Sequence, residues 1–323
     1  MERPRIYIHR VQWCPYDRYM DEENERLLAS FAEVTNHGGL EEAPSREELV
    51  EALTGVHGIL SLNGSCAGEI TPEILTEART VEVASVSHWW GQHNEVAPAW
   101  ESAGVQVIDA SDACNEAVAE WTVGAAIAGL RKFDAYDRQM KSGVEWPSFH
   151  EASQLNGSTV GLVALGRVGR IVARYLGVFD CRVLAFDPGV SEEEAVALGV
   201  ELVDLDTLLS TADVVSLHAP VTEQTTGMIG ERELSLLKDG ALLLNCARAA
   251  LTDGKALREE LATGRIRAYM DVYEPEPPPL DDPLREIDNV VMTPHVAGTT
   301  DLMFKRCGRF AIEALRDYFA GRQ

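Results

Sequence analysis

The chain has 323 residues, 46% apolar and 25% charged, with 52 acids against 28 bases and a formal net charge of −24. That length suits two domains, and the acidity, with no basic stripe, argues against a nucleic-acid partner. No apolar run approaches the ~20 residues that span a bilayer. The opening MERPRIYIHR leads into a strand instead of a signal-type stretch, and six scattered cysteines without CxxC spacing point to a cytoplasmic setting and no metal site.

In the first third, Arg5–His9, Gly58–Ser61, Val81–Ser85 and Val105–Ile108 read as strands, with helices at Glu22–Phe31, Arg46–Leu53 and Pro72–Glu77. Continuous apolar runs of this kind suit parallel strands buried on both faces. A long, largely apolar helix follows at Ala117–Lys132, and its small apolar face suits a homodimer interface. Six further strands are expected at Thr159–Val163, Arg182–Phe186, Val214–Leu217, Ala241–Asn245, Ala268–Asp271 and Val290–Met292. A last helix, Thr300–Phe319, is long enough to return to the first domain. The expected fold is α/β: two Rossmann-like or flavodoxin-like doubly wound parallel-sheet domains with a cleft between them. The second domain is expected at residues 112–296, and the first, discontinuous, at 1–111 with 297–323.

The segment STVGLVALGRVGRIVARYLGVFDCRVLAFDP, Ser158–Pro188, reads as strand, glycine turn, amphipathic helix, strand and acid. In the GxGxxG turn, the second glycine admits the pyrophosphate and the third lets the helix sit close on the sheet. Gly166 and Gly169 keep those positions. Ala164 replaces the first glycine, which is tolerable if the local φ is negative. The pyrophosphate is expected on backbone N–H groups at the start of the helix Arg167–Leu176. Asp187 lies 18 residues after Gly169, near the spacing of an acid that bonds a ribose 2′-hydroxyl. A carboxylate there repels a 2′-phosphate, so NAD is the expected cofactor.

Ligands of open α/β sheets bind beyond the carboxyl ends of the strands. Three polar stations follow such ends: Cys246-Ala247-Arg248, Val272-Tyr273-Glu274-Pro275-Glu276, and Thr293-Pro294-His295. An arginine, a carboxylate and a histidine on one edge fit reduction of a 2-oxo acid or the reverse. Arg248 can hold a carboxylate bidentately. His295 can give or take the proton on the reacting oxygen, and a glutamate against the imidazole orients it and offsets its charge.

With those residues in view, the chain resembles the D-isomer-specific 2-hydroxyacid dehydrogenases, which include phosphoglycerate, glycerate and D-lactate dehydrogenases. The resemblance rests on AVAEWTVGAAIAGLR, GLVALGRVGRIVA, VVSLHAPVTEQTTGMI, LLNCARAALTD, MDVYEPEP and TPHVAGTT, in family order and spacing. It implies an NAD-dependent dehydrogenase with Arg248, Glu276 and His295 as the catalytic residues. Glu276 is preferred to Glu274 because it lies five residues after the strand-end Asp271 and just before a proline. The resemblance places Arg167 and Val168 at the pyrophosphate, Asp187 at the adenosine ribose, Ala219 and Ala247 along the cofactor, and Asp271 near the nicotinamide amide.

Departures from the family pattern fall mainly in the first domain. The family's GxGxDN carboxylate loop corresponds to Trp89-Trp90-Gly91-Gln92-His93-Asn94, where backbone N–H groups near Trp90 and Gly91 can still hold a carboxylate while two indoles reshape the pocket. Asn63-Gly64-Ser65 forms the other expected substrate loop, with Asn63 and Gly64 facing the acid. It lacks the arginine usual in phosphoglycerate enzymes, which favours a hydroxypyruvate- or glyoxylate-type acid or a bulkier one. Ala249 stands where the family has glycine. Two rival classes share the fold: an NAD-sensing binding protein or corepressor, and a non-redox lyase or hydratase.

Overall fold

A computed structural model of the chain describes residues 3–11, 15–36, 42–87, 93–147 and 152–321. They form two compact units, Met1–Cys114 with Thr299–Gln323 and Asn115–Gly298. Among the described residues no helix is long and apolar enough to cross a membrane.

The first unit holds five parallel strands: β1 (Arg5–His9), β2 (Glu33–Asn36), β3 (Gly58–Ser61), β4 (Val83–Val86) and β5 (Gln106–Asp109). Their spatial order is β2-β1-β3-β4-β5. Period-two alternation divides the core between the faces. Ile6, Ile8 and Leu60 pack with Met303, Cys307, Ala311 and Leu315 of the helix Asp301–Ala320. Those four helix residues recur every four positions, which makes one apolar stripe. Tyr7, Ile59 and Ala84 pack on the opposite face with Leu49, Leu53 and Trp100. Strand β2 and the helix His93–Ser102 were not expected from the sequence. The first is an edge strand with one apolar residue, and the second carries an internal Pro98.

The second unit is built on seven parallel strands rather than six: β6 (Thr159–Val163), β7 (Arg182–Phe186), β8 (Glu201–Leu202), β9 (Val214–Leu217), β10 (Leu242–Asn245), β11 (Arg267–Met270) and β12 (Val290–Met292). The additional strand, β8, has only two residues and lies on the edge beside β7, too short to leave a periodic signal. The order β12-β11-β10-β9-β6-β7-β8 reverses between β6 and β9, so the crevice for a ligand lies beyond their carboxyl ends. The apolar helix spans Asn115–Leu130, where Ala119, Ala126 and Leu130 pack with Leu162, Val172, Leu176 and Leu244.

Candidate active site

The cofactor turn follows β6, the central strand at the reversal. Ala164 has φ +78, so the condition of a negative φ, under which its methyl is free of strain, is not met. The turn keeps the left-handed geometry that a glycine adopts freely, and the alanine methyl bears the strain. A Cβ at Gly169 would lie 2.4 Å from the Ala164 carbonyl oxygen, so the helix sits hard against the turn and only glycine fits. A Cβ at Gly166 would meet nothing within 4 Å, which leaves the backbone open on that side. The helix Arg167–Leu176 begins at Gly166 with no side-chain cap, so its first N–H groups suit a phosphate. Arg167 is exposed and Val168 half-buried at this start.

Asp187 ends β7 beside the turn and ties the two together. Its Oδ2 accepts from Leu165 N at 2.8 Å and its Oδ1 from Gly189 N at 2.8 Å. Each oxygen keeps acceptor capacity for a ribose hydroxyl. Across the reversal, β9 leads into His218 and the buried Ala219. Desolvation pushes the His218 pKa down to about 4, and its Nε2 lies 2.9 Å from Ser216 Oγ. An uncapped helix start, a glycine cradle and a carboxylate at ribose distance along the chain fit a dinucleotide.

The polar stations stand on the same carboxyl edge, where β10, β11 and β12 are neighbours. Fully buried Asn245 shapes the first: its Oδ1 accepts from Ala247 N at 3.1 Å and its Nδ2 donates to Arg248 O at 3.0 Å. Arg248 is exposed, and its Nη1 donates to Ala247 O at 2.7 Å. Asn245 went unnoticed in the sequence, although a polar residue closing the apolar run LLLN was a usable signal.

Glu276 and His295 meet. Glu276 Oε2 lies 2.8 Å from His295 Nδ1, and Glu276 Oε1 accepts from Tyr273 N at 2.8 Å. Both side chains are about one-third exposed, at 36% and 34%. His295 takes φ +53, a sparsely populated region that surrounding contacts must hold. Asp271 supplies them. It is fully buried, its Oδ1 accepts from Thr293 Oγ1 and from Val296 N at 2.9 Å, and its Oδ2 accepts from Ala297 N at 2.8 Å. The Tyr273 hydroxyl, with one proton to donate, lies 2.7 Å from Met270 O and 2.9 Å from Thr293 O. Asp271 thus anchors the histidine loop, a task its expected place beside the nicotinamide did not include. Tyr273 was also overlooked in the sequence.

In the first unit, Asn63 is fully buried and Gly64 is buried at the start of the turn Gly64–Glu69. Trp89, Trp90, Gly91 and Gln92 lie outside the described residues.

Residues 123–297 match the model of the D-isomer specific 2-hydroxyacid dehydrogenase NAD binding domain. The D-3-phosphoglycerate dehydrogenase of Archaeoglobus fulgidus is 36% identical over 257 residues, which are 79% of this chain and 48% of that protein. That of Methanocaldococcus jannaschii is 33% identical over 94% of this chain and 56% of its own length, so this chain spans about half the length of both. The glyoxylate reductase of Thermofilum pendens is 34% identical over 93% of this chain and 87% of its own length. Among solved structures, the NAD-complexed D-isomer specific 2-hydroxyacid dehydrogenase of Lactobacillus delbrueckii ssp. bulgaricus superposes with a TM-score of 0.80 at 25% identity, covering 98% of each chain. With residues 123–297 matched to its NAD binding domain and relatives that share a third of its residues, the chain belongs to the D-isomer-specific 2-hydroxyacid dehydrogenase family, with NAD as its cofactor.

Proposed function

We propose that the chain interconverts a 2-oxo acid and a D-2-hydroxy acid, of the hydroxypyruvate or glyoxylate type or bulkier, with NAD as the redox partner. The observation that carries this reading is the 2.8 Å contact between Glu276 and His295 on the same sheet edge as Arg248 and the cofactor turn. NAD, when bound, supplies or accepts the hydride at the substrate C2. Arg248 pairs with the substrate carboxylate and polarises the adjacent carbonyl. His295 Nδ1 is engaged by Glu276, which assigns Nε2 to the proton on the substrate oxygen. Glu276 fixes the plane of the ring and offsets the charge that forms on it. Gly166, Arg167, Val168, Gly169, Asp187, Ala219 and Ala247 line the cofactor in this reading, with Asp271 behind the histidine loop. Asn63 and Gly64 read the acid.

A homodimer through the second unit completes the proposal. The helix Asn115–Leu130 is apolar on nearly all sides, and Phe133 at the start of the next helix and Trp146 after that helix are 56% and 77% exposed. Apolar surface of that kind is covered in stable assemblies. The activity test is a panel of small, branched and aromatic 2-oxo acids incubated with NADH. Loss of the reduced-nicotinamide absorbance with at least one acid supports the reading, and none with any acid sinks it.

A further inference from the structure

The sheet of the first unit has its own reversal, because β2 lies on one side of β1 and β3, β4 and β5 on the other. Ligands of open α/β sheets bind beyond the carboxyl ends at such a point. The chain places buried polar residues there: His9 at the end of β1 and Arg10 just after it, Ser61 at the end of β3 and Asn63 just beyond, and Ser87 after β4, none more than 4% exposed. Bonds of this group close on the segment Leu62–Glu69 and on its base at Ser61. His9 Nε2 donates to Cys66 O at 2.9 Å, since a carbonyl can only accept. Arg10 Nε donates to Glu69 Oε2 at 2.9 Å and Arg10 Nη2 to Glu69 Oε1. From the other side, the Ser87 hydroxyl donates to Leu62 O and Ser87 N to Ser61 O at 2.9 Å.

We propose that His9 and the Arg10–Glu69 pair are positioning residues for a substrate-reading loop, Leu62–Glu69, which they hold so that Asn63 and Gly64 face the acid. This rests on the function proposed above. His9 costs the core something that an apolar residue would not. Its Nδ1, the acceptor once Nε2 carries the proton, finds no donor among the described residues. Burial keeps the ring neutral by pushing its pKa down. What the imidazole contributes is therefore its single bond to the loop backbone. The Arg10–Glu69 pair is a second, charge-assisted fastening at the far end of the same segment. A loop fastened at both ends reads its ligand without an ordering cost at binding.

The test uses the full chain with the acid that the panel identifies. His9→Leu removes the donor, whereas His9→Gln retains an N–H of similar reach. The expected result is a KM for the acid raised by about tenfold in His9→Leu, with kcat and the KM for NADH within about threefold, and recovery in His9→Gln. A purely structural role would lower the active fraction and leave both KM values alone. Should His9→Leu fail to fold, the double variant Arg10→Met/Glu69→Leu removes the second fastening without stranding a charge, and the same split in KM is expected. Amide hydrogen exchange over residues 62–69 is expected to quicken about tenfold in either variant, with the second unit unchanged. An unaltered acid KM, or unaltered exchange in that segment, overturns the proposal. If the unmodified protein turns over no acid, the proposed function fails and the substrate role with it, while the exchange result still decides whether the clamp exists.

Discussion

Glu276 holds His295 from the Nδ1 side at 2.8 Å, while Tyr273 N holds the other oxygen of the same carboxylate at 2.8 Å. The glutamate is thus positioned by backbone before it positions the histidine. Glu276→Gln keeps the size and one acceptor but removes the negative charge opposite the ring. Turnover is expected to fall, by less than the roughly 10²–10⁴-fold that loss of a general acid–base residue brings in His295→Gln. Steady-state kcat for the two variants beside the parent checks the order; a Glu276→Gln enzyme as active as the parent would show that the pairing is idle.

Asp271 is expected to matter through the loop it anchors. Its carboxylate accepts from Thr293 Oγ1, Val296 N and Ala297 N, all flanking the left-handed His295. In Asp271→Asn one amide hydrogen pair must face a backbone donor, and a buried group loses its partner. The cost expected is about 1–3 kcal/mol in urea unfolding, with a loss of turnover larger than the loss of folded protein. A variant equally stable and active would remove Asp271 from the account.

Two single-methyl changes in the cofactor turn should act in opposite directions. Ala164 sits at φ +78, so Ala164→Gly relieves strain and is expected to raise stability by roughly 0.5–1 kcal/mol, net of the entropy glycine adds to the unfolded chain. Gly169→Ala puts a methyl 2.4 Å from Ala164 O, and overpacking of this kind costs about 1–3 kcal/mol and moves the helix start from its phosphate position. Thermal unfolding with and without NADH reads both effects.

His218 gives a pH signature. Desolvation lowers its folded-state pKa from 6.5 to about 4, so between those values the unfolded chain binds a proton that the folded chain does not. Stability from the neutral ring is complete above the unfolded value and is lost as pH falls from 6.5 toward 4, by roughly 1–2 kcal/mol at pH 5. His218→Gln should unfold in urea with a smaller difference between pH 7.5 and pH 5 than the parent shows. An identical difference would mean that the ring does not titrate in this window.

What the sequence revealed depended on whether a residue's task was local. Continuous apolar runs announced the buried strands, and β1, β3, β6, β7, β9 and β12 begin and end where the runs do. The edge strands β2 and β8 were hidden, because an edge needs few apolar side chains and β8 pairs through two residues only. Arg248, Glu276 and His295 were legible as polar residues after apolar strands. Asn245, Tyr273 and the anchoring by Asp271 were not, since their bonds join backbone groups that only the folded loops bring together. The φ of Ala164 was not legible for a related reason: residue type says only which φ leaves its methyl unstrained, and the value +78 belongs to the folded turn, where Gly169 sits close on the Ala164 carbonyl.

The most direct test of the central claim is a single-turnover measurement with the parent and His295→Gln, both loaded with NADH and mixed with the best 2-oxo acid from the panel. Both should bind NADH equally in a fluorescence titration, the parent should consume it on adding the acid, and the variant should do so at least about a hundredfold more slowly. NADH consumption by His295→Gln at the parent's rate, or NADH binding by the parent with no consumption for any acid, would contradict it.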